Sequence, residues 1–125
     1  MIGADIVYIP EFKKQMELGG NTFMQKVFNE SEIKNSKAEH LAGLWAAKEA
    51  VVKASDKPIR KLTDVKISSS KNGKPLASAK GSKFDISIAH DGDYAIAVAY
   101  RVGRWIIQIL MTMYRSLMVE ASLPP

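Results

Sequence analysis

Four side chains of this 125-residue chain could take part in metal or phosphate chemistry, and each stands where another residue type is usual. Asp5 interrupts the apolar run IGADIVYI, although strands are poor in aspartate because its short side chain competes for backbone hydrogen bonds. Glu49 and Lys53 lie one helical turn apart in the alanine-rich segment LAGLWAAKEAVVKA, and His90 precedes a turn. Mg²⁺ commonly takes one or two carboxylates with substrate phosphates and water. Asp5 and Glu49 are therefore candidate metal ligands, with Lys53 and His90 as candidate phosphate contacts.

Each of these residues also has a plainer interpretation. Asp5 could accept backbone hydrogen bonds at a strand end, and His90 could be an ordinary turn histidine. Glu49 could pair with Lys48 or Lys53 on a solvated helix face, which would contribute only about 0.2–0.5 kcal/mol. The residue types alone leave both interpretations open.

The first half of the chain predicts a strand followed by helices. Residues 2–9 form the predicted strand, Pro10 suits the first turn of a helix, and Gly19-Gly20 ends that helix. Asn21 can then cap a short helix that continues through Phe28.

A long helix is predicted from about residue 37 to residue 54. Ser36 and Glu39 stand at the spacing of a capping box, and Pro58 prevents continuation. One stripe of this helix is made of small residues, so another element can approach it closely. These are Gly43, Ala46, Ala47, Ala50 and Ala54.

The second half changes from helical to alternating periodicity. Asn72-Gly73 is a strong hairpin turn, and residues 84–90 and 94–100 alternate around a second turn at residues 91–93. Two antiparallel hairpins after the helices predict an α+β fold, with an antiparallel sheet packed on the long helix.

Composition excludes several classes of function. The chain has no cysteine and two histidines, so thiolate and histidine zinc sites are not expected. It has neither a GxGxxG nor a GKS/T phosphate loop, and its lysines are scattered without a nucleic-acid-binding motif. The net charge of +5 favours an acidic partner. With no basic region and an aspartate in its first apolar run, the chain is expected to be cytoplasmic.

Four motifs resemble the holo-acyl-carrier-protein synthases, small members of the phosphopantetheinyl transferase superfamily. They are IGADIV at residues 2–7, LAGLWAAKEAVVKA at 41–54, NGKP at 72–75 and FDISIAHDGDYAIAVA at 84–99. The resemblance covers residues 1 to about 101. It implies the 4′-phosphopantetheinyl transferase fold and a homotrimer with the coenzyme at subunit interfaces.

The resemblance also implies a role for each candidate residue. Asp5 and Glu49 would bind Mg²⁺, and Glu49 and Lys53 would be the catalytic residues. Coenzyme A would contact Lys53 and His90. The NGKP turn would lie near the adenine, which adds Gly73, Lys74 and Pro75 as weaker candidates.

The implied reaction is transfer of 4′-phosphopantetheine from coenzyme A to a serine of apo acyl carrier protein, with release of 3′,5′-ADP. It is a step of lipid metabolism in fatty acid biosynthesis. Acyl carrier proteins are acidic, which suits a basic enzyme, and Lys13 and Lys14 are candidate contacts for the carrier. Which group accepts the proton of the acceptor serine stays open, with Glu49 as one candidate.

Three departures from the family support an alternative function. Leu44 stands where the family often has arginine, and the loop SDKPIRKLT is short and free of glycine. The chain also continues beyond the residues that resemble the family. The alternative is a non-catalytic relative that binds coenzyme A or a carrier protein without transfer.

Residues 102–125 are therefore predicted to be a separate, atypical apolar tail, either helical or non-native, after a transferase domain at residues 1–101. Ten uncharged residues from Trp105 to Tyr114 are too few to span a bilayer, which needs about twenty. As a helix the tail would have a broad apolar arc that includes Trp105, Ile106 and Ile107. Burial between subunits or in its own domain is the first expectation, an accidental terminus the second and membrane contact the third.

Overall fold

One long helix packs on a five-stranded antiparallel sheet in the computed structural model. The structure describes the backbone of residues 1–122 and the side chains of these residues except 104–107. The strands are β1 (Ile2–Tyr8), β2 (Lys66–Ser69), β3 (Pro75–Ala79), β4 (Ser82–Asp91) and β5 (Tyr94–Arg101). The helices are α1 (Ile9–Val27), α2 (Glu30–Ile33), α3 (Ala38–Ala54) and α4 (Arg104–Ser122).

The strand order β1-β5-β4-β3-β2 places the first strand of the chain at a sheet edge beside the last strand. Asp5 of β1 is opposite Ala97 of β5, and His90 near the end of β4 is opposite Ala95 of β5. The predicted α+β class, with an antiparallel sheet on the long helix, is confirmed. The expected hairpin at Asn72-Gly73 joins β2 to β3, with a positive φ of 82° at Gly73 that glycine adopts without strain.

Small residues on both surfaces bring α3 unusually close to the sheet. Every member of the predicted stripe on α3 is buried, and the helix-facing side chains of β5 are three fully buried alanines. On β1, a Cβ atom at Gly3 would overlap the carbonyl oxygen of Ala50 and lie 2.8 Å from the backbone nitrogen of Ala54. Only glycine therefore permits this approach of β1 to α3.

The start of α3 differs from the prediction, because no capping box forms at Ser36 and Glu39. Lys37 is the residue that precedes the first helical position, and it makes no capping hydrogen bond with its side chain. The Ser36 hydroxyl instead donates to the carbonyl of Glu32 at 2.7 Å, which satisfies a group at the end of α2. The Glu39 carboxylate pairs with Lys13 at 3.1 Å. Ser36 and Glu39 thus bond to α2 and α1 instead of forming the capping box at the start of α3.

The glycine pair in α1 breaks the helix where the sequence predicts. Gly20 has φ 52° and ψ −142°, so two helical segments meet there. The aromatic ring of Phe12 in the first segment packs on Trp45 of α3, with 5.3 Å between ring centroids, and on Phe23 and Phe28 at 6.2 Å each. This cluster fixes α1 against α3.

A buried ion pair connects α3 to the elements around it. Lys48 is fully buried, and its Nζ lies 2.8 Å from Glu32 Oε2 and donates to the carbonyl of Val27 at 2.9 Å. A longer bond of 3.4 Å reaches the carbonyl of Leu62, which follows the loop after α3. Burial lowers the pKa of the Lys48 ammonium below its usual range, and the hydrogen bond and charge of Glu32 offset part of this shift. Lys48 therefore joins α1, α2 and the loop to α3.

The tail forms the helix α4, and its described side chains stay in solvent. Every residue from 108 to 122 is exposed, including eight large apolar side chains. The expected burial of the tail in its own domain is thus not observed for these residues, while Trp105, Ile106 and Ile107 lie outside the described side chains. Of the helices at residues 1–122, none combines the length and apolar character needed to cross a bilayer.

We expect Lys48→Met to destabilise the fold by about 3–5 kcal/mol, because it leaves the buried Glu32 carboxylate without its cation. Urea unfolding measures this loss, and Glu32→Leu combined with Lys48→Met should recover much of it. Since the unfolded chain binds the lysine proton more tightly, the stability of the wild type relative to Lys48→Met should rise with pH. This rise spans the window from the lowered pKa to about 10.4, the ordinary lysine value. A loss below about 1 kcal/mol would contradict a structural role for this pair.

A chain that ends at Gly103 should keep a folded core. The cut removes α4 but keeps the hydrogen bond from the Val102 amide to the Lys83 carbonyl at 2.9 Å. Because the described side chains of α4 bury nothing in this chain, we expect the melting temperature to change by no more than about 3 °C. Calorimetry measures this, and light scattering before and after the cut shows whether α4 packs between copies. A large drop in both melting temperature and assembly size would indicate burial between subunits.

Candidate active site

Asp5 and Glu49 line one cavity although their positions differ by 44 in the chain. Asp5 lies on the side of β1 that faces α3, between Gly3 and Val7, and its side chain is only 20% exposed. Glu49 is half-buried on α3. The cavity has a volume of about 290 Å³ and is also lined by residues of α1 and by Trp45. The structure thus brings together the two carboxylates that the sequence singles out.

Two further polar residues of this cavity, Glu11 and Gln15, were not predicted. They are four residues apart on α1 and flank the buried Phe12, so helical spacing beside a buried aromatic could have indicated a shared face. The indole Nε1 of Trp45 is a buried donor with no hydrogen-bond partner among the described residues. The cavity therefore offers carboxylates and an amide to a polar ligand.

Lys53 bonds to β1 rather than to its neighbour on the helix. Its Nζ lies 3.0 Å from Asp5 Oδ1 and 3.0 Å from the carbonyl oxygen of Ala4. Within the described residues, neither Lys53 nor Lys48 forms an ion pair with Glu49. The interpretation of Glu49 as half of a surface ion pair on α3 is therefore wrong.

The donor set suits a divalent cation that is completed by a ligand. Two carboxylates in one partly shielded cavity are the protein contribution that Mg²⁺ commonly receives when substrate phosphates and water supply the other positions. Within residues 1–122, no three or more acidic, cysteine or histidine side chains are arranged so that they could hold a metal ion by themselves, so an all-protein metal cage is not present there. Asp5 and Glu49 thus fit a shared metal–phosphate site rather than a structural metal site.

His90 lies against the opposite side of α3, near the start of that helix. Its Nε2–H donates to the carbonyl oxygen of Glu39 at 2.9 Å, and a Cβ atom at Gly43 would lie 3.0 Å from the same nitrogen. Glycine at position 43 therefore allows the ring to lie on the helix. The Glu39 backbone amide, together with Lys13, lowers the pKa of the exposed Glu39 carboxyl. His90 is held by backbone geometry, which argues against an accidental turn position.

A second cavity of about 510 Å³ joins His90 to most of the remaining candidates. Gly73 and Pro75 line it from the β2–β3 hairpin, and Leu44 lines it from α3. Lys74 points to a neighbouring cleft of about 940 Å³ on the same hairpin. The sequence did not single out His40, Ser68 or Ser69, which also line the second cavity.

The two cavities face different sides of α3. With 3.6 residues per turn, Leu44 and Glu49 lie about 140° apart around the helix axis. No residue lines both cavities among those described. The carboxylate cavity and the His90 cavity of one chain are thus separated by the helix itself.

Comparison with known proteins identifies the fold and the family. The model of the 4′-phosphopantetheinyl transferase superfamily matches residues 1–99. A holo-[acyl-carrier-protein] synthase of Ehrlichia ruminantium is 40% identical over 111 residues, covering 77% of this chain and 90% of the relative. The enzyme of the same name from Clostridium tetani is 39% identical over 123 residues, covering 84% of this chain and 97% of the relative.

A solved structure gives the same result. The crystal structure of Helicobacter pylori holo-[acyl-carrier-protein] synthase in complex with coenzyme A matches with a TM-score of 0.73 and 32% identity. The match covers 81% of this chain and 99% of that chain. The chain therefore belongs to the 4′-phosphopantetheinyl transferase superfamily, among the holo-[acyl-carrier-protein] synthases.

Proposed function

We propose that this protein transfers 4′-phosphopantetheine from coenzyme A to a serine of apo acyl carrier protein. Membership of the family supports the reaction, and the meeting of Asp5 and Glu49 in one cavity supports a catalytic rather than a merely binding role. A chain that only bound coenzyme A would have no need to hold two carboxylates together in a shielded cavity, since burying like charges is costly. The absence of cysteine is compatible with a cytoplasmic location.

In the reaction, the hydroxyl oxygen of the acceptor serine attacks the β-phosphorus of coenzyme A. A new phosphorus–oxygen bond forms to the carrier, the bond to the α-phosphate oxygen breaks, and 3′,5′-ADP leaves. The serine proton passes to a base, for which Glu49 in the carboxylate cavity is one candidate. The leaving group takes the electron pair of the broken bond, and the Lys53 ammonium offsets its growing negative charge.

Asp5 and Glu49 would hold Mg²⁺, which supplies charge neutralisation at the pyrophosphate. The residues of this chain orient the reactants around it. Lys53 is one helical turn beyond Glu49, within reach of a phosphate beside the carboxylates. The residues His90, Gly73, Lys74 and Pro75 would contact the nucleotide end of coenzyme A.

Those two groups of residues lie on different sides of α3, so one coenzyme molecule would have to contact two chains. The carboxylates would come from one copy and the His90 cavity from its neighbour, as a homotrimer with interfacial sites requires. A face of the sheet is available for such assembly, because the side of β1 and β5 away from α3 is apolar and exposed. It consists of Ile2, Ile6, Tyr8, Tyr94, Ile96, Val98 and Tyr100, each between 37% and 68% exposed.

Charge would guide the acidic carrier protein to the site. The net charge of +5 steers association more than it adds affinity. Lys14 on α1 is exposed, whereas Lys13 already pairs with Glu39 at 3.1 Å. Lys14 is therefore the better candidate contact of the two.

We expect Glu49→Gln to keep the fold and to lower transfer by about 100-fold or more, because a neutral amide is a poor substitute for a charged ligand. Asp5→Asn should behave in the same way. The assay incubates the protein with apo carrier protein, coenzyme A and Mg²⁺, and detects the phosphopantetheine adduct by mass spectrometry. Glu17→Gln makes the same change on the exposed surface of α1 and should leave transfer within about threefold.

Near-normal transfer by both variants would contradict the metal-site assignment. If the wild type binds coenzyme A but forms no adduct, the non-catalytic alternative holds instead. The short loop after Lys53 and the apolar Leu44 are the features that favour this second candidate.

The outer face of the sheet gives a prediction for assembly. Ile96→Glu introduces a charge at its centre and should convert a trimer of three 13.8 kDa chains into monomers, because a buried unpaired carboxylate is strongly unfavourable. Light scattering measures the mass, and circular dichroism checks the fold. Leu18→Glu makes a similar change on α1, where Leu18 is 89% exposed, and should leave the assembly intact. Monomers of the wild type that still catalyse transfer would refute the trimer.

A further inference from the structure

The contact between Lys53 and Asp5 poses a problem for metal binding. Asp5 Oδ1 is 3.0 Å from the Lys53 ammonium, while Asp5 also faces the cavity that it shares with Glu49. One carboxylate is thus placed to serve both an ammonium and a divalent cation. Lys53 itself does not line the carboxylate cavity, so it approaches Asp5 from a different direction than a cation held with Glu49 would.

The position of Lys53 follows from the close packing of β1 on α3. Gly3 lets the strand approach so far that Lys53, on the last turn of α3, reaches two acceptors of β1 at 3.0 Å each. One is the Asp5 carboxylate and the other is the backbone carbonyl of Ala4. Two bonds to the same strand hold the ammonium beside Asp5.

A divalent cation at Asp5 and Glu49 would repel this ammonium. Like charges a few ångströms apart oppose each other strongly where water is partly excluded, and the Asp5 side chain is only 20% exposed. The cation would also withdraw from Lys53 part of the negative charge that holds it. Metal binding and the Lys53–Asp5 ion pair therefore compete for one carboxylate.

Lys53 is able to leave. Its side chain is 54% exposed, and its four-carbon stem is flexible, so the ammonium can turn to a ligand outside the cavity. The Ala4 carbonyl belongs to an edge strand and can be solvated after the lysine departs. A phosphate beside the metal would then be the strongest acceptor within reach.

We propose that Lys53 is a mobile counter-charge, which neutralises Asp5 until the metal binds and then moves to a coenzyme A phosphate. This inference rests on the proposed function for the identity of the metal and the coenzyme. A mobile Lys53 makes the metal and coenzyme A bind cooperatively. The coenzyme phosphate stabilises Lys53 in its position away from Asp5, which is the position that metal binding requires. By linkage, each ligand raises the affinity for the other by the same factor.

The test measures Mn²⁺ binding without coenzyme or carrier protein, by electron paramagnetic resonance of unbound Mn²⁺. We expect Lys53→Met to raise the affinity for Mn²⁺ about tenfold, whereas a merely structural lysine would leave it unchanged or lower it. Lys53→Arg keeps the charge and should bind Mn²⁺ as the wild type does. Lys57→Met removes the same charge from an exposed lysine that bonds to the Lys80 carbonyl, and should change the affinity less than twofold. Circular dichroism checks that each variant is folded.

Addition of coenzyme A completes the test. It should raise the Mn²⁺ affinity of the wild type by a larger factor than that of Lys53→Met. If Lys53→Met binds Mn²⁺ no more tightly than the wild type while Glu49→Gln abolishes binding, the counter-charge is refuted and the proposed function stands. If Mn²⁺ binding does not depend on Glu49, the metal site and the counter-charge fail together.

Discussion

The close approach of β1 to α3 is the constraint on which the site depends. Any side chain at Gly3 would collide with the helix backbone at Ala50, and on the next strand, β5, the side chains buried beneath the helix are all alanines. Because the backbones are this close, Asp5 of β1 and Glu49 of α3 line the same cavity. Small residues in the core thus determine where the charged residues at its rim lie. Alanine gives up some packing energy there, but it lets the backbones approach and so fixes the positions of these charged residues.

Much of this arrangement could be predicted from the sequence, because local patterns specify it. The alternation of residues 84–100, the glycines of α1 and the small stripe of α3 each lead to the observed element. The meeting of Asp5 with Glu49 followed from residue types that are unfavourable where they stand, and from the family motifs. What the patterns could not give were partners that belong to other elements. Ser36 bonds to Glu32 instead of capping α3, and Lys48 is buried on Glu32, because acceptors from other elements satisfy these groups.

This chain has two exposed apolar surfaces, and they are close in sequence. The outer face of β1 and β5 is one, and α4 follows β5 after only residues 102 and 103. The apolar side chains of α4 are Ile109, Leu110, Met111, Met113, Tyr114, Leu117, Met118 and Val119, between 49% and 64% exposed. Contiguous exposed apolar surfaces often mark interfaces. The family model matches residues 1–99, so the match includes nearly all of the sheet surface but none of α4.

The segment KEAVVK of α3 shows how burial assigns opposite roles to similar side chains. Lys48 and Glu49 are neighbours in sequence, but a step of about 100° around the helix sends the lysine into the core and the glutamate into the cavity. Lys48 must stay where it is, since Glu32 and two carbonyls would otherwise be left buried without their cation. Lys53 has one carboxylate, one carbonyl and solvent around it, so it can exchange partners at little cost. A fixed lysine that holds α3 to the loop would therefore allow a second lysine, five residues later, to exchange partners on metal binding, as we propose, without disturbing the helix that carries Glu49.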